Sequence, residues 1–137
     1  MKIIALTGPH NCGKSTTLNI VFDQLKNDGG KYGNKITLGN PEQRDFSVKI
    51  EWKGLKIGFF TMGDYSTYLA DGINDWATKN IDILICAVSI EKPMIKAHAA
   101  MSKFKVKKIS KQKSNTEAEQ IKNDALFASK IINDLEK

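Results

Sequence analysis

Apolar residues along this chain come in short runs and periodic stripes, separated by polar, turn-forming stretches. The first run, Ile3-Ile4-Ala5-Leu6, has the length of a buried strand and leads directly into Gly8-Pro9-His10-Asn11-Cys12-Gly13-Lys14-Ser15. Beyond it Leu18, Val21, Phe22 and Leu25 recur at steps of three and four, which places them on one face of a helix from residue 14 to about 28, closed by Gly29. Residues 29–41 are rich in glycine, asparagine and proline, with little periodicity apart from Ile36 and Leu38, and predict a mobile loop. Phe46, Val48, Ile50 and Trp52 then alternate at period two, Lys53-Gly54 supply a turn, and residues 55–62 are mostly apolar, so a two-strand hairpin is expected.

The second half continues the alternation. A helix is predicted from residue 66 to about 79, with Leu69, Ile73 and Trp76 on one face and Gly72 as its weak point; residues 81–88 predict a buried strand. Pro93 suits the first turn of a helix reaching about residue 104, with Ile95, Ala99 and Met101 available for packing. Residues 105–110 read as a last, edge-like strand. Ser114-x-x-Glu117 resembles a capping box ahead of a stripe formed by Ile121, Ala125, Ala128, Ile132 and Leu135. Strands alternating with helices imply an α/β fold in three layers, with a mainly parallel sheet of about five strands and one antiparallel strand at its edge. A length of 137 residues suits a single domain over residues 1–137.

Composition narrows the setting. The longest apolar run, Ile83-Leu84-Ile85-Cys86-Ala87-Val88, is far short of the roughly 18 residues of a membrane span, and the first apolar stretch is too short for a signal peptide. Two cysteines, Cys12 and Cys86, give no disulfide or metal-ligand spacing, so a reducing, cytoplasmic setting without membrane contact is expected. The net charge of +6 is local: Lys103, Lys105, Lys107, Lys108, Lys111 and Lys113 carry it, and without them 15 cations face 15 anions. Such a strip over residues 103–113 offers contact to nucleic acid or an acidic partner, or is simply a solvated edge. All ten glycines lie at or before Gly72, which concentrates conformational freedom, and with it candidate chemistry, in the N-terminal half.

The chemistry centres on Gly-x-x-x-x-Gly-Lys-Ser at residues 8–15, set between a strand and a helix. A ring of backbone N–H groups at a helix N-terminus holds a polyanion, Gly8 and Gly13 let the backbone curl, Lys14 supplies a point charge, and Ser15 offers a hydroxyl to Mg²⁺. Through the stretch MKIIALTGPHNCGKSTTLNIVFDQL, about a fifth of its length, the chain resembles the P-loop NTPase superfamily. The resemblance implies that superfamily's core fold and a bound nucleoside triphosphate with Mg²⁺. It places phosphate contacts on Gly8, Pro9, His10, Asn11, Cys12, Gly13, Lys14, Ser15 and Thr16, and the metal on Ser15. It also makes Asp64, at the end of the hairpin's second strand, the acidic group of the metal site, with Lys14 and Asp64 as the catalytic pair.

Other features choose between activities. No Asp-x-x-Gly is present, and Ile109-Ser110-Lys111-Gln112-Lys113 shares only its lysine with a guanine-reading Asn-Lys-x-Asp, so ATP is expected over GTP. Tyr65 follows Asp64 where motor-type ATPases carry a glutamate; Glu91, Glu42 and Asp45 are alternative bases, and Ser89 is a candidate sensor of the terminal phosphate. Thr61 and Gly63 flank the Asp64 turn. Arg44 is the sole arginine, too few for the cationic lid of a small-molecule kinase, though it could close over the phosphates or reach a second subunit. Tyr65, Tyr68 and Trp76 either wall a substrate pocket or pack the core, and His10 and His98 lack a catalytic partner pattern. The expectation is an ATP- and Mg²⁺-binding protein that hydrolyses nucleotide slowly or under stimulation by a protein partner or a second copy. A phosphotransferase and a regulatory module without turnover are the alternatives.

Overall fold

A computed structural model describes residues 1–136 as four helices around one sheet. In chain order the elements are β1 (Lys2–Gly8), α1 (Lys14–Asn27), β2 (Lys31–Tyr32), β3 (Ile36–Thr37), β4 (Phe46–Trp52), β5 (Leu55–Phe60), α2 (Ser66–Ala77), β6 (Ile83–Ser89), α3 (Ile95–Met101), β7 (Lys105–Ser110) and α4 (Glu117–Leu135). A 3₁₀ turn at Pro41–Gln43 precedes β4. Strands β1 and β6 lie inside the sheet and are apolar on both faces: Ile4, Leu6, Ile83, Ile85 and Ala87 join the core under α1 and α4, while Ile3, Ala5, Leu84, Cys86 and Val88 join the core under α2 and α3.

The mainly parallel, five-stranded sheet expected from the sequence is overturned. The sheet is mixed and has seven strands in the order β2-β4-β5-β6-β1-β7, with β3 also on β4. β5, β6, β1 and β7 run parallel to one another; β4 is antiparallel to β5, and β2 and β3 are antiparallel to β4. The hairpin reversal comes from Lys53 and Gly54, both at positive φ (50° and 79°), the backbone of a tight turn that matches strand twist. The two extra strands come from the stretch read as a mobile loop. Lys31, Tyr32, Ile36 and Thr37 are all exposed, so no apolar alternation marks them, and backbone pairing to β4 holds them in place.

At the other edge, β7 pairs only with β1 among the described residues. Its lysines suit an unpaired edge, where charge discourages a further strand from adding. The apolar stripe of α4 is rotated from the expected one: Ala128, Ile131 and Leu135 are buried, whereas Ile121 is 65% exposed and Ala125 is also on the surface. The cap lies two residues later than the Ser114 box, because Thr116 Oγ1 accepts from Glu119 N at 3.1 Å and Glu119 accepts from Asn115 N at 3.3 Å. α3 begins only after Met94, in the left-handed region at φ 51°; Ala97, Ala100 and Met101 are buried, and Ile95 and Ala99 face outward. Thr116→Ala should cost about 1 kcal/mol of stability, read as a lower denaturation midpoint at unchanged slope.

Candidate functional site

The octapeptide bridges the C-terminal end of β1 and the first turn of α1. Asn11 (φ 60°) and Gly13 (φ 91°) hold left-handed backbone, which curls the loop onto itself. Glycine at position 8 is required by crowding, since a Cβ there would lie 2.6 Å from both Lys111 O and Cys12 Sγ. Lys14, almost buried, folds back and donates to Gly8 O at 2.9 Å and Pro9 O at 2.8 Å. His10 N donates to Glu91 Oε1 at 2.8 Å, so the segment after β6 also grips the loop.

His10, Asn11, Gly13, Lys14, Ser15 and Thr16 line a pocket of about 440 Å³. Gly8, Pro9 and Cys12 support it from behind, with Cys12 fully buried. The rest of the lining comes from Glu42, Gln43 and Asp45 ahead of β4, from Thr61, Gly63 and Asp64 after β5, and from Gln120 and Asp124 on α4. Segments far apart in the chain thus converge at the carboxyl ends of the parallel strands, where open α/β sheets bind ligands.

The residue nearest the Ser15 hydroxyl is Asp45. Ser15 Oγ donates to Asp45 Oδ1 at 2.5 Å, and Thr61 Oγ1 donates to the same oxygen at 2.9 Å while accepting from Phe46 N at 2.9 Å. Burial pushes the Asp45 carboxyl above its ordinary 3.8; the Ser15 and Thr61 hydroxyls oppose that shift, Asp64 adds to it, and the Lys14 ammonium opposes it. Asp64 is close enough to act on Asp45 by charge and lines the same pocket, so two carboxylates and two hydroxyls surround the site expected to hold metal. From the sequence alone Asp45 stands only as one of three alternative bases, with Glu42 and Glu91. Counting back from the two-residue turn, with Trp52 on Leu55 and Ser47 on Phe60, sets Asp45 beside the end of β5, and that register was the available signal.

Among the described residues no group of three or more His, Cys, Asp or Glu forms a metal cage. Mg²⁺ needs none, because it keeps water ligands and takes one or two carboxylates along with substrate phosphates. Ser15, Asp45 and Asp64 are hard oxygen donors of that kind, and they fit the ion.

Ser89, Arg44, Tyr65, Tyr68, Trp76 and His98 are outside the lining, while Gly63 is part of it. Ser89 is buried, its Oγ accepting from Glu91 N at 3.2 Å and its N–H donating to Gly63 O at 3.0 Å, so it caps a turn and ties β6 to the Asp64 turn. Gly63 passes so close to Ala87 O that a Cβ would collide with it. The Arg44 side chain is exposed; its carbonyl accepts from Asn19 Nδ2 at 3.1 Å, and the same amide reaches Ser15 O at 2.9 Å. Trp76 is core, with Nε1 on Ser47 Oγ at 3.1 Å; Tyr65 and Tyr68 are exposed, and His98 on α3 has its pKa lowered by burial and by Lys108.

The basic strip is partly spent inside the molecule. Lys107 pairs with Asp134 at 2.8 Å, and Lys111 is buried against the phosphate loop and Asp124. No helix among the described residues is long and apolar enough to cross a membrane. Comparison with protein-family models, curated proteins and solved structures finds no match to this chain.

Proposed function

We propose that this pocket binds a nucleoside triphosphate, ATP in preference to GTP, together with Mg²⁺, and that the protein is a slow or partner-stimulated nucleoside triphosphatase. The observation that carries the proposal is the convergence of the curled loop at residues 8–15 with Ser15, Asp45 and Asp64 on one polar pocket. Phosphates would lie against the N-terminus of α1, where amides and the helix dipole favour negative charge. Mg²⁺ would be held by Ser15 with Asp45 or Asp64, and when bound it would neutralise charge on the phosphate oxygens.

The balance of charge supports a metal-dependent site. Among the described residues Lys14 is the only lysine or arginine in the lining, against Glu42, Asp45, Asp64 and Asp124. Asp124 is paired with Lys111, and the carboxylates of Glu42, Asp45 and Asp64 repel a bare triphosphate, so the divalent cation is part of recognition. Asp45 also joins the pocket to the 3₁₀ turn and β4, which gives occupancy of the site a route to the surface segment around Arg44 that a partner could read. Both cysteines are free and buried, which supports a reducing setting such as the cytoplasm.

Calorimetric titration tests the reading. ATP with Mg²⁺ should bind, GTP should bind more weakly, and chelating the metal should weaken ATP by about tenfold or more. Phosphate release measured alone and with candidate partners then separates turnover from binding. Absence of any ATP affinity at millimolar nucleotide with Mg²⁺ sinks the proposal.

A further inference from the structure

Behind the phosphate loop lies a buried polar cluster contributed by the last third of the chain. Lys111, just past β7, is 1% exposed; its Nζ donates to Cys12 O at 2.5 Å and pairs with Asp124 Oδ1 at 2.8 Å. Asp124 on α4 is 4% exposed and also accepts from Gln120 Nε2 at 2.7 Å and from Thr17 Oγ1 at 3.4 Å. Gln120 Nε2 donates a second hydrogen bond to Cys12 O at 2.8 Å. Gly13 is closed in by the same groups, because a Cβ on it would collide with Asp124 Oδ1 and Gln120 Nε2.

The Cys12 carbonyl is therefore held by two donors, one of them charged. A trans peptide is planar, and its C=O and the following N–H point in opposite directions. Fixing Cys12 O on Lys111 Nζ and Gln120 Nε2 turns the Gly13 N–H to the opposite side of the peptide, away from those two donors, at a residue that lines the pocket. A cation on the carbonyl also polarises the peptide and strengthens its N–H as a donor. Burying two charges is costly, and two apolar side chains of similar size would often serve stability as well or better. What the apolar pair could not do is hold the carbonyl.

We infer that Lys111 and Asp124, with Gln120, are positioning residues that orient the Cys12–Gly13 peptide so that its N–H meets the phosphate chain. The inference rests on the triphosphate reading of this pocket. It gives Lys111 a task other than the polyanion contact expected of the basic strip, and it makes α4, more than a hundred residues from the start of the loop, a working part of the phosphate site.

The decisive variant is the double replacement Lys111→Met with Asp124→Leu, which removes both charges together and leaves no orphan ion in the core. Melting temperature, Mg²⁺-ATP affinity and the backbone ¹⁵N–¹H signal of Gly13 are read on the full chain. The expected result is a folded protein whose Gly13 signal moves, while amides of α3 on the far face stay in place, and whose affinity falls about tenfold, as for loss of a charge-assisted hydrogen bond. Wild-type affinity with an unmoved Gly13 signal in a folded double variant overturns the inference. If the double variant does not fold, Gln120→Met decides, since it removes one of the two donors on Cys12 O and keeps the Lys111–Asp124 pair; a displaced Gly13 signal with about threefold weaker binding supports the positioning role, and no change in either overturns it. Should the wild-type chain itself bind no ATP, the proposed function falls, and the Gly13 signal still settles the peptide's orientation.

Discussion

Lys14→Ala is expected to weaken Mg²⁺-ATP binding on the order of a hundredfold, the size of losing a charge-assisted hydrogen bond worth about 3 kcal/mol. Among the described residues the ammonium is the one lysine or arginine charge in the lining of a pocket that also carries Glu42, Asp45, Asp64 and Asp124, so its removal leaves an anionic ligand held by backbone amides beside those carboxylates. Lys14 also holds the loop closed through Gly8 O and Pro9 O, and alanine frees both carbonyls. Circular dichroism and a melting curve run beside the titration keep these effects apart. Lys14→Met preserves the aliphatic stem, should restore most of any lost stability, and should leave binding lost. Near-wild-type affinity in a folded Lys14→Met variant would remove Lys14 from the phosphate site.

Asp45→Asn should lower the Mg²⁺ dependence of nucleotide binding by about tenfold and change how stability depends on pH. The Asp45 carboxyl has a folded pKa above its ordinary 3.8, chiefly because it is buried, so the folded chain holds that proton more tightly than the unfolded chain does. Its contribution to stability is therefore fully present below the ordinary value and is lost as pH rises through the raised one. Asparagine cannot ionise. The melting temperature of Asp45→Asn relative to wild type should accordingly be highest at neutral pH and should decline as the pH falls through the raised value. A gap that is constant across that range would show that Asp45 ionises as it does in the unfolded chain. An unchanged metal titration would return the acidic role to Asp64, whose own replacement, Asp64→Asn, is the matched control.

Asp45 was hard to see in the sequence because its partners are chosen by strand pairing. It precedes a clear period-two run, yet that pattern says nothing about which strand end it meets; the Lys53-Gly54 turn brings it to Thr61, and the parallel order β5-β6-β1 brings both to Ser15. Asp64 was legible as a carboxylate following an apolar strand, and it does line the pocket. The strands β2 and β3 were illegible for a different reason: their side chains are solvated, and hydrogen bonds between backbones carry no residue signature. Lys111 was misplaced with the surface lysines, since a lysine buried beside an aspartate 13 residues later looks, in one dimension, like any other.

What the chain determines locally is the strand–loop–helix unit at residues 2–27, because left-handed glycine backbone, a helix N-terminus and a lysine one residue on are all short-range properties. The hairpin and the two internal, doubly buried strands are fixed at the same level by period and apolar run length. Tertiary structure alone decided the mixed sheet, the Asp45 partnership with Ser15 and the Lys111, Gln120 and Asp124 support behind Cys12. Ser15 meets Asp45 30 residues away, and Cys12 meets Lys111 and Gln120 99 and 108 residues away, by contacts that exist only after the sheet has brought strand ends together and burial has made the polar groups seek one another.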